Sequence, residues 1–147
     1  MEEKKMRPGE PGFWKAFAQA ACLWAVVAGV FCLLLPGGAM ELPGEPGQWG
    51  WAALRVCAVL PFLEELVFRG GVQRLLRPLG PGVALVGQAV LFAAAHGSAA
   101  AKLYAFAMGL VFGWAAEHTG RLWPGMLFHS LNNCIVLAEC LAERGMG

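Results

Sequence analysis

Three short stretches hold most of the side chains able to do acid–base chemistry within the apolar part of this chain: PFLEELVFRGG at 61–71, LFAAAH at 91–96 and LFHSLNN at 127–133. In the first, Glu65 and Arg69 are four residues apart, stacked on one helical face, where an ion pair cancels most of the cost of burying either. Glu64 stands about 100° round the same helix with no cation at that spacing, so it is the carboxylate left to act as a general base. His96 follows Phe92 by one turn. His129 and Asn133 are also one turn apart, with Asn132 beside them, so an imidazole and a carboxamide project together and offer two donors to one small oxygen, as an oxyanion requires. Each stretch has a plainer reading: a solvated amphipathic helix end for the glutamates, a satisfied core residue for His96, and polar contacts between helices for His129 and Asn133.

The elements carrying these residues are set by composition. The 147 residues are 58% apolar and only 14% charged, above the roughly 45–50% apolar content of ordinary soluble domains. Hydrocarbon about 30 Å thick needs roughly 20 helical residues, and uncharged runs bounded by charge, Pro or Gly fall at 13–35, 49–76, 82–96, 98–117 and 122–142. This pattern predicts an all-α, polytopic transmembrane bundle of about five helices, forming one integral membrane domain over 1–147 behind a polar segment at 1–12. The first run is long for the h-region of a signal peptide, about 7–15 residues, and is expected to stay as a membrane helix.

Lys4, Lys5, Arg7, Lys15, Arg74, Arg77 and Arg121 fall on one side of such a bundle, which predicts a cytoplasmic N-terminus and a multi-pass protein of a prokaryotic cell membrane. RGGVQRLLRPLGPG is expected to lie along the interface as an amphipathic segment, with Leu75 and Leu76 inward. Counted from the 78–81 turn, Glu64 and His96 both lie about 21–22 Å away, whereas His129 is about 8 Å from Pro124. The cluster is therefore expected in the cytoplasmic half, with the second and third helices protruding. The basic residues form no run interleaved with aromatics, so nucleic acid is not a partner. Cys22, Cys32, Cys57, Cys134 and Cys140 make no CxxC pair and are expected as small buried hydrophobes.

EELVFR fits an EExxxR motif, FAAAH an FxxxH motif and HSLNN an HxxxN motif, in that order. Together they resemble the CPBP family of intramembrane proteases, which includes CAAX prenyl endopeptidases and bacterial proteins linked to bacteriocin processing or immunity. GLVFGWAAEHTGRLWPGMLFHSLNN is similar to that family's approach to its third motif, and the likeness covers about 54–137 as a protease-like core. The resemblance implies that Glu64 and His96 activate water, that His129 and Asn133 stabilise the oxyanion, and that Glu65 and Arg69 hold the helix in place, supported by Phe92 and Asn132.

With those roles, the resemblance implies an endopeptidase that cuts a peptide bond near the membrane surface of a membrane-anchored or lipidated substrate, by a metal-free glutamate mechanism without a cofactor. A zinc-dependent version would use Glu64, His96 and His129 as ligands. The rival from another class is a non-catalytic immunity or scaffolding protein with the same polar cluster, and a proton-relaying transporter is a third. The chain is short for the family, and a homo-oligomer would supply whatever the cavity lacks in one copy.

Overall fold

A computed structural model describes residues 8–34 and 48–145, with side chains through residue 142. Lys4, Lys5, Arg7 and the start of the polar N-terminal segment lie outside the described residues. The chain there is helical, with no strand: α1 (Pro11–Leu34), α2 (residues 49–79), α3 (Pro81–Ala94), α4 (Ala99–Thr119) and α5 (Trp123–Gly145). Pro81 stands at the first turn of α3, where its missing N–H costs nothing, after Gly80 at φ 115°. Ser98 Oγ caps α4 by accepting from the Ala101 amide at 3.1 Å. Gly120 ends α4 in the left-handed region at φ 64°.

The α1, α4 and α5 spans Pro11–Leu34, Ala99–Thr119 and Trp123–Ala142 are long and apolar enough to cross a membrane, and α3 is a shorter apolar helix. Val26, Leu33, Phe62, Val90 and Leu103 are exposed. Such a surface would be unstable in water and is solvated by lipid, while the helices satisfy their own backbone groups. The chain is an integral membrane protein built as a helical bundle.

The core gathers around α4. Met108, Val111, Phe112 and Ala115 pack with Ala20 of α1 and Phe128 of α5. Gly109 lets α3 come close, since a Cβ there would lie 3.0 Å from the Ala89 Cβ. The approach also exposes backbone carbonyls that buried side chains use: Gly109 O accepts from Gln88 Nε2 at 2.7 Å, and Gly113 O from Gln73 Nε2 at 3.1 Å.

Three details differ from the sequence reading. First, α2 is not uniformly α-helical, because residues 55–59 and 66–73 are wound in wide π turns on either side of the glutamates. Second, the arginine-rich segment is the last part of α2 itself, and Leu75 faces outward while Gln73 is the buried side chain. Third, only Cys140 is buried; Cys22, Cys32 and Cys134 are exposed and Cys57 is intermediate. A lipid-facing surface accepts a thiol as readily as a core does, so apolar context in the sequence did not imply burial.

Candidate active site

The i, i+4 spacing of Glu65 and Arg69 produces the contact it predicts, with Arg69 NH1 3.0 Å from Glu65 Oε1 and both side chains fully buried. The guanidinium lies 4.4 Å above the Phe92 ring centroid and 5.4 Å from that of Phe112. Its second terminal nitrogen reaches Gly109 O at 3.4 Å. Two aromatic faces and a carboxylate make a setting in which a buried arginine is tolerable.

Glu65 has a further partner that spacing could not show. His129 Nδ1 lies 3.1 Å from Glu65 Oε1, and a carboxylate can only accept, so Nδ1 carries the proton. That fixes the ring and turns Nε2 toward Glu64, whose Oε2 is 3.5 Å away. Phe112 stacks on the imidazole at 5.0 Å between centroids, and Phe92 meets it edge-on at 5.7 Å. Arg69, Glu65, His129 and Glu64 therefore form one connected row, with Glu64, about a third exposed, at its open end.

His96 lies just past the last turn of α3, not within it. Its Nδ1 is 2.9 Å from Phe92 O, and since a carbonyl only accepts, Nδ1 donates and a neutral ring keeps its lone pair on Nε2. Phe92 thus touches His96, His129 and Arg69 together.

Asn133 Nδ2 donates to Val56 O at 3.0 Å. The reason lies in α2: in the π register Arg55 O accepts from the Leu60 amide five residues on, so Val56 O would next accept from residue 61. That residue is Pro61, which has no N–H. Asn133 supplies the missing donor across the helix interface. A carboxamide nitrogen has two hydrogens, so one remains. Asn132, which sequence marks only as support, accepts from Tyr104 Oη at 2.5 Å.

Glu64, His96, His129, Asn132 and Asn133 all line one cavity of about 220 Å³, completed on its apolar side by Leu60, Met108, Phe112 and Val136. Its lining on α4 runs from Ala101 to Phe112, so it reaches toward the 95–98 turn, away from the end of the bundle that holds Arg74, Arg77 and Arg121.

Sequence reasoning missed Gly125. A Cβ at this position would lie 2.8 Å from Glu65 Oε2 and 3.5 Å from its Cδ. Gly125→Ala is expected to push Glu65 off His129 and Arg69, costing about 1–3 kcal/mol of stability. Thermal denaturation in detergent checks it, and an alanine variant that melts with the wild type would show that Glu65 need not hold its place.

Among the described residues no three His, Cys, Asp or Glu side chains form a group suited to holding a metal ion.

A family model described as type II CAAX prenyl endopeptidase, Rce1-like, matches residues 46–135. No curated protein and no solved structure matches the chain significantly.

Proposed function

This chain belongs to the Rce1-like family of type II CAAX prenyl endopeptidases, a family of peptide hydrolases, and from that membership we propose that it is an intramembrane endopeptidase using Glu64 as general base. Its substrate is a membrane-anchored or lipidated protein, cut beside the anchor. The observation that supports this reading is the convergence of Glu64, His96, His129 and Asn133 on one cavity.

In this mechanism Glu64, assisted by the His96 Nε2 lone pair, takes a proton from water, and the oxygen attacks the scissile carbonyl. His129, doubly protonated between the two carboxylates, keeps Nδ1–H on Glu65 and presents Nε2–H to the developing oxyanion. The second N–H of Asn133 completes the pair of donors. Glu64 then returns its proton to the departing amine, the C–N bond breaks, and one water has been consumed for one new carboxylate and one new amine terminus. Tethering at the membrane surface raises the effective concentration of the bond to be cut, so a few converging groups suffice.

The test compares membrane-protein termini by mass spectrometry in cells carrying wild-type protein or Glu64→Ala. Termini that vanish with the alanine variant identify substrates, whereas identical sets of termini would overturn the proposal. The metal-free form of the mechanism carries its own expectation: protein active after exhaustive chelation, with less than stoichiometric zinc by elemental analysis. Loss of activity on chelation and its return with zinc would replace it.

A further inference from the structure

Asn132 and Tyr104 both line the active-site cavity, and neither takes part in the proposed proton transfers. Tyr104 Oη donates to Asn132 Oδ1 at 2.5 Å, and the Phe31 ring of α1 packs against the Tyr104 ring at 4.9 Å between centroids. A hydroxyl that donates to the amide oxygen decides which way round the carboxamide sits, so Nδ2 is turned the other way. That nitrogen carries two hydrogens, and among the described residues it donates to none. Asn132 as a whole is 5% exposed, yet Nδ2 is not one of the sealed polar atoms that lack a partner, a set that includes Gln73 Oε1 and Gln88 Oε1. The surface it keeps faces the cavity. Asn132 follows His129 by three residues on α5, so the two side chains are neighbours on the helix, about 4.5 Å apart along its axis.

We propose that Asn132 binds the substrate main chain, donating Nδ2–H to a backbone carbonyl beside the scissile bond, and that Tyr104 is the positioning residue that holds it ready. This rests on the protease reading and adds to it a residue that binds without reacting. The class of ligand group follows from the donor. A neutral amide whose own oxygen is taken offers hydrogen only, so it selects an acceptor. Glu64 opens onto the same cavity and repels a carboxylate, which leaves an uncharged oxygen; a peptide carries one at every residue. A main-chain carbonyl is the same in every substrate, so the contact fixes register without reading sequence. Ala101, Ala105, Met108 and Val136 make the surrounding wall apolar, and a hydrogen bond formed there is stronger than one in water. Asn133 differs, because its nitrogen is tied to Val56 O at 3.0 Å, which leaves one hydrogen for the oxyanion, whereas Asn132 keeps both for the substrate.

The experiment uses the full-length protein in nanodiscs and a synthetic peptide spanning a cleavage site taken from the Glu64-dependent termini. Peptide binding is measured in a Glu64→Gln background, where the peptide is not consumed, and cleavage with Glu64 in place. Asn132→Ala is expected to weaken binding about 2–12-fold, the range for one hydrogen bond, with kcat within about twofold of wild type. Asn132→Asp keeps an oxygen to accept from Tyr104 but sets a second oxygen where the donor was, so it should bind at least as poorly as Asn132→Ala. If Asn132 only braces Tyr104, that variant binds normally. Tyr104→Phe keeps the ring against Phe31 and frees the amide to turn, and should weaken binding less than Asn132→Ala. Should Asn132→Ala not fold, Asn132→Asp carries the expectation, since it retains the Tyr104 bond. Undiminished binding by either Asn132 variant would overturn the inference. A Tyr104→Phe loss larger than that of Asn132→Ala would also overturn it, by making the hydroxyl the substrate donor. Either result, with Glu64→Gln inactive, leaves the protease reading standing. Cleavage by Glu64→Gln at the wild-type rate would defeat that reading instead, and if no terminus depends on Glu64 both fall.

Discussion

Glu64→Gln is expected to leave a folded protein in the membrane whose cleavage rate is lower by about 10²–10⁴-fold, the range a positioned general base contributes. The substitution keeps side-chain volume and removes only the ability to take a proton. Glu64 is about a third exposed and shares one contact at 3.5 Å with His129 Nε2, so little core packing depends on its charge. The melting temperature in detergent should stay within a few degrees of wild type. His96 cannot substitute for the lost carboxylate, because its Nδ1 is occupied by Phe92 O and its Nε2 would have to act on water alone. A glutamine variant that cleaves at wild-type rate would sink the mechanism. A variant that loses cleavage but keeps every cellular phenotype would favour the non-catalytic rival.

The carboxylate singled out in the sequence was found by subtraction: Glu65 has Arg69 at helical spacing, and Glu64 does not. Only the 3.6-residue period is needed to see this, and the 3.0 Å ion pair agrees with it. The helices were legible for a similar reason, since apolar runs between Pro and Gly fix where lipid-solvated helices begin and end. The contacts that assemble the site were not legible. Glu65 and His129 are separated by 64 residues, and no local rule says which face of α5 meets α2. The bond from Asn133 to Val56 O was also hidden, because it combines the π register of residues 55–59 with the missing N–H of Pro61, and each looks ordinary alone. Gly125 reads in sequence as part of a helix start after Pro124; its role comes from the 2.8 Å approach that a Cβ would make to Glu65.

Sequence assigned Glu65 and Arg69 a structural task and His129 a catalytic one, yet all three share a single oxygen. Glu65 Oε1 accepts from His129 Nδ1 and is ion-paired with Arg69 NH1 at 3.0 Å. The pair thus neutralises charge in the bundle and also sets the ring that faces the cavity. The two tasks can be separated by mutation, because stability depends on charge balance while the orientation of His129 depends on an acceptor at residue 65.

Arg69→Met is expected to be the most destabilising single change in the site. It leaves Glu65, at 0% exposed, as a buried carboxylate without its guanidinium, and breaking a buried pair in this way costs about 3–5 kcal/mol. Glu65 Oε2 already lacks a hydrogen-bond partner, so His129 Nδ1 is left as the donor on this carboxylate. Glu65→Leu combined with Arg69→Met removes both charges while keeping similar volumes, and replacing a buried pair by apolar groups is often neutral. The double variant should therefore melt near wild type. It should still cleave slowly, by about 10²-fold or more, because Nδ1–H of His129 has lost the acceptor that fixed its ring direction. Denaturation in micelles and cleavage of an identified substrate, measured on the same preparations, separate the two effects. If the double variant regains both stability and activity, Glu65 acts on charge alone and His129 needs no holder. If Arg69→Met melts with the wild type, the pair is not buried as described, and the connected row from Arg69 to Glu64 loses its foundation.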